Sequence, residues 1–293
     1  MGIHATGLLK VRDLDIRHTV ESAQPLTFHA DYDFAKGTMG YASDGKLVSF
    51  TFNGNGRSCN VRFDKPNAPF SRKDFEKRFR LKDDINEIYS RIATDEFVSR
   101  SVHRYRGMRV TLNDPWETTL CFIMSQYNNV KRIRLIVRKL IAEFGTDIVE
   151  NGNVVARGFP RSEDLLSFTE RDFRMCGTGF RAKYLKEAAE YCTNNIDLYS
   201  LSSKGYDEVK EELMGISGVG DKVADCIALM GYGKMEAFPI DVWVKRTLER
   251  VYFKGRSKKI KDLHRFVEKN WDNRYLGYLQ QYIFWGGRNL QVI

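Results

Sequence analysis

Residues 213–244 constrain this chain more than any other stretch, because their glycines have the spacing of a tight turn between two helices. Gly218 and Gly220 stand where such a turn needs backbone without a Cβ atom. Val219 between them is the apolar side chain that would hold the two helices together. Asp221 is predicted to cap the second helix, whose apolar residues recur at helical spacing. The stretch therefore predicts a helix, a hairpin and a second helix.

This hairpin is suited to bind the backbone of a nucleic acid. The amides of Gly218 and Gly220, on either side of Val219, would point outward at the start of the second helix. There, free N–H groups and the helix dipole favour the binding of a phosphate. The arrangement is typical of helix-hairpin-helix modules that bind DNA without reading its sequence. The formal net charge of +9 is spread along the chain, which also favours a polyanionic partner.

Two residues near the hairpin carry reactive groups. Lys222 lies on the first turn of the second helix, where the positive helix terminus is predicted to lower the pKa of its amine. A partly deprotonated amine can attack the C1′ atom of a deoxyribose. Asp241, in Pro239-Ile240-Asp241, heads another helix and could stabilise a developing positive charge. Taken separately, Lys222 also fits a phosphate contact and Asp241 a helix cap.

The sequence GVGDKVADCIALM followed by FPIDVWV resembles the 8-oxoguanine DNA glycosylase/AP lyase family of the helix-hairpin-helix DNA glycosylase superfamily. The resemblance covers residues 110–290 well and the first hundred in outline. It implies that Lys222 attacks C1′, expels the base and forms a Schiff base, while Asp241 stabilises the cationic sugar. The Schiff base acidifies the C2′ proton, so β-elimination and strand nicking follow. The implied activity is excision of oxidised guanine with AP lyase cleavage.

The resemblance also implies a pocket for the extruded base. Cys226 would stack on one face of the purine and Phe284 on the other, while Gln280 would bind its edge. The family's N-terminal glycine, whose carbonyl accepts the N7 proton of 8-oxoguanine, is replaced here by Ala23. Ala23 keeps the carbonyl but lacks the backbone freedom of glycine. From the residues alone, Cys226 and Phe284 are core side chains.

Five further residues match the family's segments that enter the DNA stack when the base leaves it. Tyr127 stands where the well-known eukaryotic enzymes have the first of three asparagines, and Asn128 follows it. Arg132 matches the arginine that contacts the orphaned cytosine. Phe180 matches a second, intercalating ring, with Arg181 beside it. The alternative for Tyr127 and Phe180 is packing at the end of a helix.

Hydrophobic periodicity predicts an α+β fold in two parts. Residues 1–105 form an antiparallel sheet with helices, the N-terminal glycosylase domain. Residues 106–293 form a helical catalytic region that contains the helix-hairpin-helix motif at about 206–231. From Asn113 onward every segment reads as helix, including one capped at Asp114 and another over 130–144.

The N-terminal part contains the strand signals. Residues 46–52 alternate between apolar and polar, with the turn Asp44-Gly45 before them and a second turn at 53–56. The opening segment 9–34 reads as short strands. Residues 71–74 read as a capping box that starts a helix.

Composition restricts cofactors and surroundings. The five cysteines are isolated, and none forms C-x-x-C, so the sequence indicates neither disulfides nor a metal or iron–sulfur site, and we expect no cofactor. No run of about 18 apolar residues and no secretory segment is present. We expect a monomer that binds duplex DNA and no membrane, and that is not secreted. Its expected location is cytoplasmic or nucleoid-associated in a prokaryote and nuclear in a eukaryote.

Two other functions remain open from the sequence. An aromatic pocket also suits electron-poor alkylated purines, so a monofunctional alkylated-base glycosylase is one alternative, although Lys222 argues against it because that activity needs no amine. A non-catalytic helix-hairpin-helix DNA-binding protein is the other. It predicts that removing the amine of Lys222 weakens only salt-sensitive binding.

Overall fold

A five-stranded antiparallel sheet begins the computed structural model, which describes residues 8–54, 58–64 and 69–289. Its spatial order is β1-β5-β4-β3-β2. One face is buried, because Val48 and Phe50 of the fourth strand point to the same side, and Phe50 packs edge-on against Phe75 at 5.1 Å. The strands are β1 (Leu8–Arg12), β2 (Asp31–Asp33), β3 (Thr38–Ser43), β4 (Lys46–Gly54) and β5 (Ser58–Phe63).

Helices dominate the rest of the described chain, as the α+β prediction requires. The N-terminal helices are α1 (Ile16–Glu21), α2 (Pro25–His29), α3 (Pro69–Arg78), α4 (Ile85–Ile92) and α5 (Glu96–Arg104). The following helices are α6 (Pro115–Ser125), α7 (Val130–Phe144), α8 (Glu170–Met175), α9 (Arg181–Asn194), α10 (Tyr206–Met214), α11 (Asp221–Tyr232), α12 (Val242–Tyr252), α13 (Ile260–Asn270) and α14 (Leu276–Asn289). None of them is long and apolar enough to span a membrane.

The turn predictions in the sheet have different outcomes. Asp44 and Gly45 connect β3 to β4 with positive φ angles of 45° and 65°, so this hairpin turn is confirmed. The second predicted turn, at 53–56, extends beyond the described residues, since β4 continues to Gly54 and the description resumes at Ser58.

The prediction that residues 9–34 form only strands was wrong. Between β1 and β2 the chain forms α1 and α2. Asp15 starts α1, because its carboxylate accepts a hydrogen bond from the His18 amide at 2.8 Å. Pro25 is the first residue of α2, where its fixed φ suits a helix and its missing N–H leaves no bond unmade.

The predicted capping box at 71–74 was also wrong, because α3 already begins at Pro69. The carboxylate of Asp74 accepts hydrogen bonds from the hydroxyls of Tyr41 and Ser43 and pairs with Arg78. Asp74 therefore ties α3 to the sheet instead of capping the helix.

The helical region contains a two-stranded hairpin that the sequence reading missed. Strands β6 (Thr146–Glu150) and β7 (Asn153–Gly158) pair antiparallel after α7. They are joined by Asn151 and Gly152, both with positive φ, and an Asn-Gly pair is a strong hairpin signal. The predicted helix over 130–144 is confirmed as α7, and the predicted cap at Asp114 as that of α6.

Helix α11 lies at the centre of the helical region and packs against both α6 and α10. The approach to α6 is close, since a Cβ atom on Gly231 would lie 3.3 Å from Cα of Pro115. The two parts of the chain also touch, because the buried Gln24 donates to the carbonyl of Arg109 at 2.8 Å and accepts from the Thr111 amide at 2.7 Å. The division at residue 105 stays a prediction.

Candidate active site

The hairpin between α10 and α11 has the geometry that the glycines predict. Gly218 has a φ of +80°, and a Cβ atom there would lie 2.7 Å from Cγ of Tyr184, so the turn requires glycine. Val219 is buried in the main core, which confirms its role as the apolar pin. The N-cap of α11 is Gly220 rather than Asp221. Asp221 is the first helical residue, and its carboxylate pairs with the Lys210 ammonium at 2.9 Å.

A cavity of about 250 Å³ lies beside the start of α11. Its walls come from the turn before α2, the ends of α6 and α7 that face each other, α11, the segment before α12, and α14. The predicted residues that line it are Lys222, Asp241, Cys226, Gln280, Phe284, Ala23 and Asn128. Side chains far apart in the sequence are thus brought to one site.

Lys222 lies half-buried in this cavity, with its Nζ atom 5.4 Å from the centre of the Phe122 ring. Burial alone lowers the pKa of its amine, but the facing Cys226 and Asp241 outweigh burial, so that the pKa of Lys222 is raised. The predicted lowering was therefore wrong. Burial favours the neutral amine, but the side chains that the fold places opposite the amine favour its protonated form more.

Asp241 is both a helix cap and a wall of the cavity. It is the N-cap of α12, and its Oδ1 atom accepts a hydrogen bond from the Val244 amide at 2.8 Å. One oxygen of the carboxylate is thereby fixed by the helix terminus. Asp241 also stands close enough to raise the pKa of Lys222. A carboxylate held in this way can stabilise a cation without having to reorient.

The deep end of the cavity combines apolar walls with one free acceptor. Burial raises the pKa of Cys226 to about 11, so Cys226 is a neutral thiol at neutral pH. Phe284 is buried one turn of α14 beyond Gln280. Gln280 is 5% exposed and donates to the Pro239 carbonyl at 3.2 Å, whereas its Oε1 atom has no hydrogen-bond partner. A buried acceptor without a partner in the protein is free to accept a hydrogen bond from a ligand or from water.

Ala23 has the backbone conformation that glycine favours, although it is not glycine. Its φ is +59°, in the left-handed region. The neighbouring Ser22 is fixed, because its carbonyl accepts a hydrogen bond from the buried Gln281 side chain at 2.7 Å. Ala23 therefore holds a left-handed backbone conformation in which an alanine is strained.

We expect Ala23→Gly to stabilise the protein by about 1 kcal/mol, because it relieves an alanine held in the left-handed region. Thermal unfolding would show this as a higher midpoint. The matched control is Ala30→Gly, since Ala30 has a φ of −64° and gains nothing from glycine. An equal or lower midpoint for Ala23→Gly than for the unchanged protein would contradict the strain argument.

The two predicted wedge rings are exposed outside the cavity, which excludes packing in the core for both. Tyr127 is 96% exposed and Phe180 is 50% exposed, and their ring centres lie 6.3 Å apart. Arg132 is exposed on the first turn of α7. Arg181 differs from the prediction, because it is only 4% exposed and its guanidinium donates to the backbone carbonyls of Gln126 and Tyr127. It holds the chain beneath the rings.

One further group has the donor types of a metal site. Asp221, Asp225 and His264 offer ligand atoms within 4.8 Å of one another. The Lys210 ammonium lies 2.9 Å from a carboxylate oxygen of each aspartate, and Tyr206 donates to Asp225 at 2.6 Å. A protein cation thus already balances these carboxylates behind the hairpin.

Sequence reasoning missed several residues of the site. Trp243 and Arg288 line the cavity, and the Arg288 guanidinium lies 5.8 Å from the centre of the Trp243 ring. Phe28 and Phe122 form part of the apolar wall of the cavity. Arg288 had a usable signal, since it follows Phe284 by four residues on one helix. Phe28 had none, because it belongs to a helix in the segment predicted as strands.

Several known proteins are similar to this chain in sequence and in fold. Residues 120–273 match the model of the HhH-GPD superfamily base excision DNA repair proteins. A probable N-glycosylase/DNA lyase of Methanothermobacter thermautotrophicus is 32% identical over 232 residues, 73% of each chain. The structure of MBOgg1 with a low-affinity DNA ligand superposes with a TM-score of 0.85, at 28% identity, over 97% of this chain and 96% of that one.

A second solved structure has a similar fold over nearly the whole chain. The Clostridium acetobutylicum 8-oxoguanine glycosylase/lyase, solved with double-stranded DNA containing cytosine opposite 8-oxoguanine, has a TM-score of 0.84 at 28% identity. The match covers 96% of this chain and 93% of that one. With its glycine hairpin, and with the half-buried Lys222 and the capping Asp241 in one cavity, this chain belongs to the HhH-GPD superfamily of base excision DNA repair proteins.

Proposed function

We propose that the protein is a bifunctional DNA glycosylase/AP lyase that excises 8-oxoguanine from duplex DNA and nicks the strand by β-elimination. The observation that carries the proposal is the placement of Lys222 and Asp241 in one cavity with Cys226 and Phe284. A nucleophile, a stabilising carboxylate and two walls for a planar base thus surround the same space. The lyase and 8-oxoguanine glycosylase names of the similar proteins agree with this chemistry.

The neutral amine of Lys222 attacks C1′ of the extruded nucleotide. The bond from C1′ to N9 breaks, and the base leaves with the electron pair and takes up a proton. Asp241 stabilises the cationic sugar and assists the loss of the amine's proton. The sugar ring then opens, because the C1′–O4′ bond breaks and O4′ takes up a proton as the C1′=N bond of the Schiff base forms. The Schiff base acidifies C2′, whose proton is lost as the bond from C3′ to the 3′ phosphate oxygen breaks. Because the pKa of Lys222 is raised, this proton loss is a costly step at neutral pH.

Recognition of the base uses the deep end of the cavity. Cys226 and Phe284 contact the two faces of the purine, and the free Oε1 atom of Gln280 accepts a hydrogen bond from its N–H edge. The carbonyl of Ala23 accepts the N7 proton that 8-oxoguanine carries and guanine lacks, a bond of about 1–3 kcal/mol. The left-handed conformation of Ala23 supports this role, because it is the backbone conformation that glycine favours.

Tyr127 and Phe180 fill the space that the base leaves, while Asn128 closes the cavity behind them. Arg132 contacts the orphaned cytosine, and the amides of Gly218 and Gly220 bind a phosphate. Val219 supports this turn from within, because its amide donates to the Ile216 carbonyl at 3.0 Å. The protein acts on DNA as a monomer, without a cofactor or a membrane, in the cytoplasm or nucleoid of a prokaryote or in a nucleus.

Borohydride trapping tests the proposal directly. A duplex with one 8-oxoguanine opposite cytosine should give a covalent protein–DNA adduct, and an unmodified duplex should give none. A duplex with 3-methyladenine is the comparison for the alkylated-base alternative. Release of 3-methyladenine without an adduct on either damaged duplex would replace the proposal by that alternative. Tight binding with neither adduct nor base release would favour the non-catalytic DNA-binding module.

A further inference from the structure

The four residues 126–129, called the insertion loop from here, connect α6 directly to α7. They place Tyr127 at the surface with a φ of +47°, a conformation that a bulky side chain rarely adopts. Such strain persists only where the surroundings fix the backbone. The contacts that fix this loop therefore decide where the exposed ring points.

Gln126 connects the insertion loop to the hairpin. Its Nε2 atom donates to the Ile123 carbonyl on α6 at 3.1 Å and to the Gly218 carbonyl at 2.9 Å. Gly218 stands at the position of the hairpin turn that requires glycine. One half-buried amide thus spans 92 positions of the chain, between the segment that presents Tyr127 and the turn that faces phosphate.

Arg181 fixes the same loop from the other side. Its Nε atom donates to the Gln126 carbonyl at 2.9 Å, its Nη2 atom to the Tyr127 carbonyl at 3.2 Å, and its Nη1 atom to the Thr178 carbonyl at 3.1 Å. The guanidinium also lies 4.4 Å from the centre of the Phe180 ring. A buried guanidinium bound to three carbonyls resists displacement. Both rings are therefore attached to one support.

We propose that Gln126 and Arg181 are positioning residues that join the hairpin, Tyr127 and Phe180 into one rigid wedge. When the hairpin binds a phosphate, this wedge determines where both rings enter the duplex. The proposal rests on the proposed function for its substrate. Neither side chain lines the cavity that holds Lys222, so their effect acts through the rings.

The energetic reason is preorganisation. A loop that samples several conformations presents Tyr127 correctly only part of the time, and the apparent strength of insertion falls by that fraction. The bond from Gln126 to Gly218 restricts this sampling before DNA arrives. Its removal leaves the Gly218 carbonyl free to bind water, so the fold survives while the ring loses its fixed direction.

A double-mutant cycle separates this role from a merely structural one. The probe is a duplex with a tetrahydrofuran abasic site opposite 2-aminopurine, whose fluorescence reports insertion without any chemistry. We expect Gln126→Ala to weaken insertion about tenfold, which corresponds to the loss of one hydrogen bond. Tyr127→Ala should weaken insertion more than tenfold but leave a measurable signal from Phe180, and the double variant should be no worse than Tyr127→Ala alone. Gln126→Glu, which keeps the shape and cannot donate, should behave like Gln126→Ala.

The matched control is Asn270→Ala, because Asn270 is also an amide at a helix end that donates back to a carbonyl, that of Phe266 at 2.7 Å. It should bind and insert like the unchanged protein. Additive losses in the cycle, or full insertion by Gln126→Glu, would overturn the proposal. Normal insertion without excision of 8-oxoguanine would instead count against the proposed function alone, since the probe needs no base removal.

Discussion

Lys222→Gln is expected to abolish borohydride trapping and to slow excision of 8-oxoguanine by more than about 10⁴-fold, because glutamine has no nucleophilic nitrogen. The substitution removes a charge that is half-buried next to the Phe122 ring, so the fold should be retained. Single-turnover assays on a duplex with 8-oxoguanine opposite cytosine measure the effect. Excision and strand nicking should disappear together, since both pass through the same Schiff base.

The control for this experiment is the affinity of Lys222→Gln for DNA. Affinity for a duplex with an uncleavable abasic site should change less than tenfold, because the hairpin amides and the wedge rings remain in place. If Lys222→Gln reduces only the salt-dependent part of the affinity for DNA and changes no activity, the result would support the non-catalytic DNA-binding module. Nicking that survives at a tenth of the original rate would show that another amine is the nucleophile.

Short-range signals in the sequence predicted most of the helical framework. The N-cap at Asp114 and the helix over 130–144 follow from residues within a few positions of each other, and both are confirmed. The error at residues 9–34 has two sources. The helix starts at Asp15 and Pro25 are local signals that the alternating apolar pattern obscured. The turn around Ala23 between these helices is stabilised by Gln281 from the far end of the chain, and no local pattern reveals that bond.

Predictions for the candidate site were limited in the same way, by contacts between residues far apart in the sequence. The pairing of Lys222 with Asp241 could be predicted, because both lie in one stretch that resembles a known family. The direction of the pKa shift of Lys222 could not, since burial lowers this pKa while Cys226 and Asp241 raise it, and the sum depends on distances. The burial of Arg181 also escaped prediction, because its partners are backbone carbonyls 54 and 55 residues earlier.

Asp241→Asn is expected to slow excision by about 10²–10⁴-fold while leaving stability nearly unchanged. Asparagine is as good an N-cap as aspartate, so the bond from the Val244 amide survives and only the charge is removed. The rate constant of single-turnover excision and the midpoint of thermal unfolding separate the two roles. Asp114→Asn is the matched control, because it makes the same change at the N-cap of α6 outside the cavity.

The pH dependence of Asp241→Asn gives a sharper test. The attacking amine must be neutral, so the rate rises with pH as Lys222 loses its proton. Asp241 is one of the groups that raise the pKa of Lys222 against the opposing effect of burial. Without this carboxylate the pKa falls, and the rising limb of the profile moves to lower pH even as the plateau drops. A lower plateau with an unmoved limb would mean that Asp241 acts on the sugar cation alone.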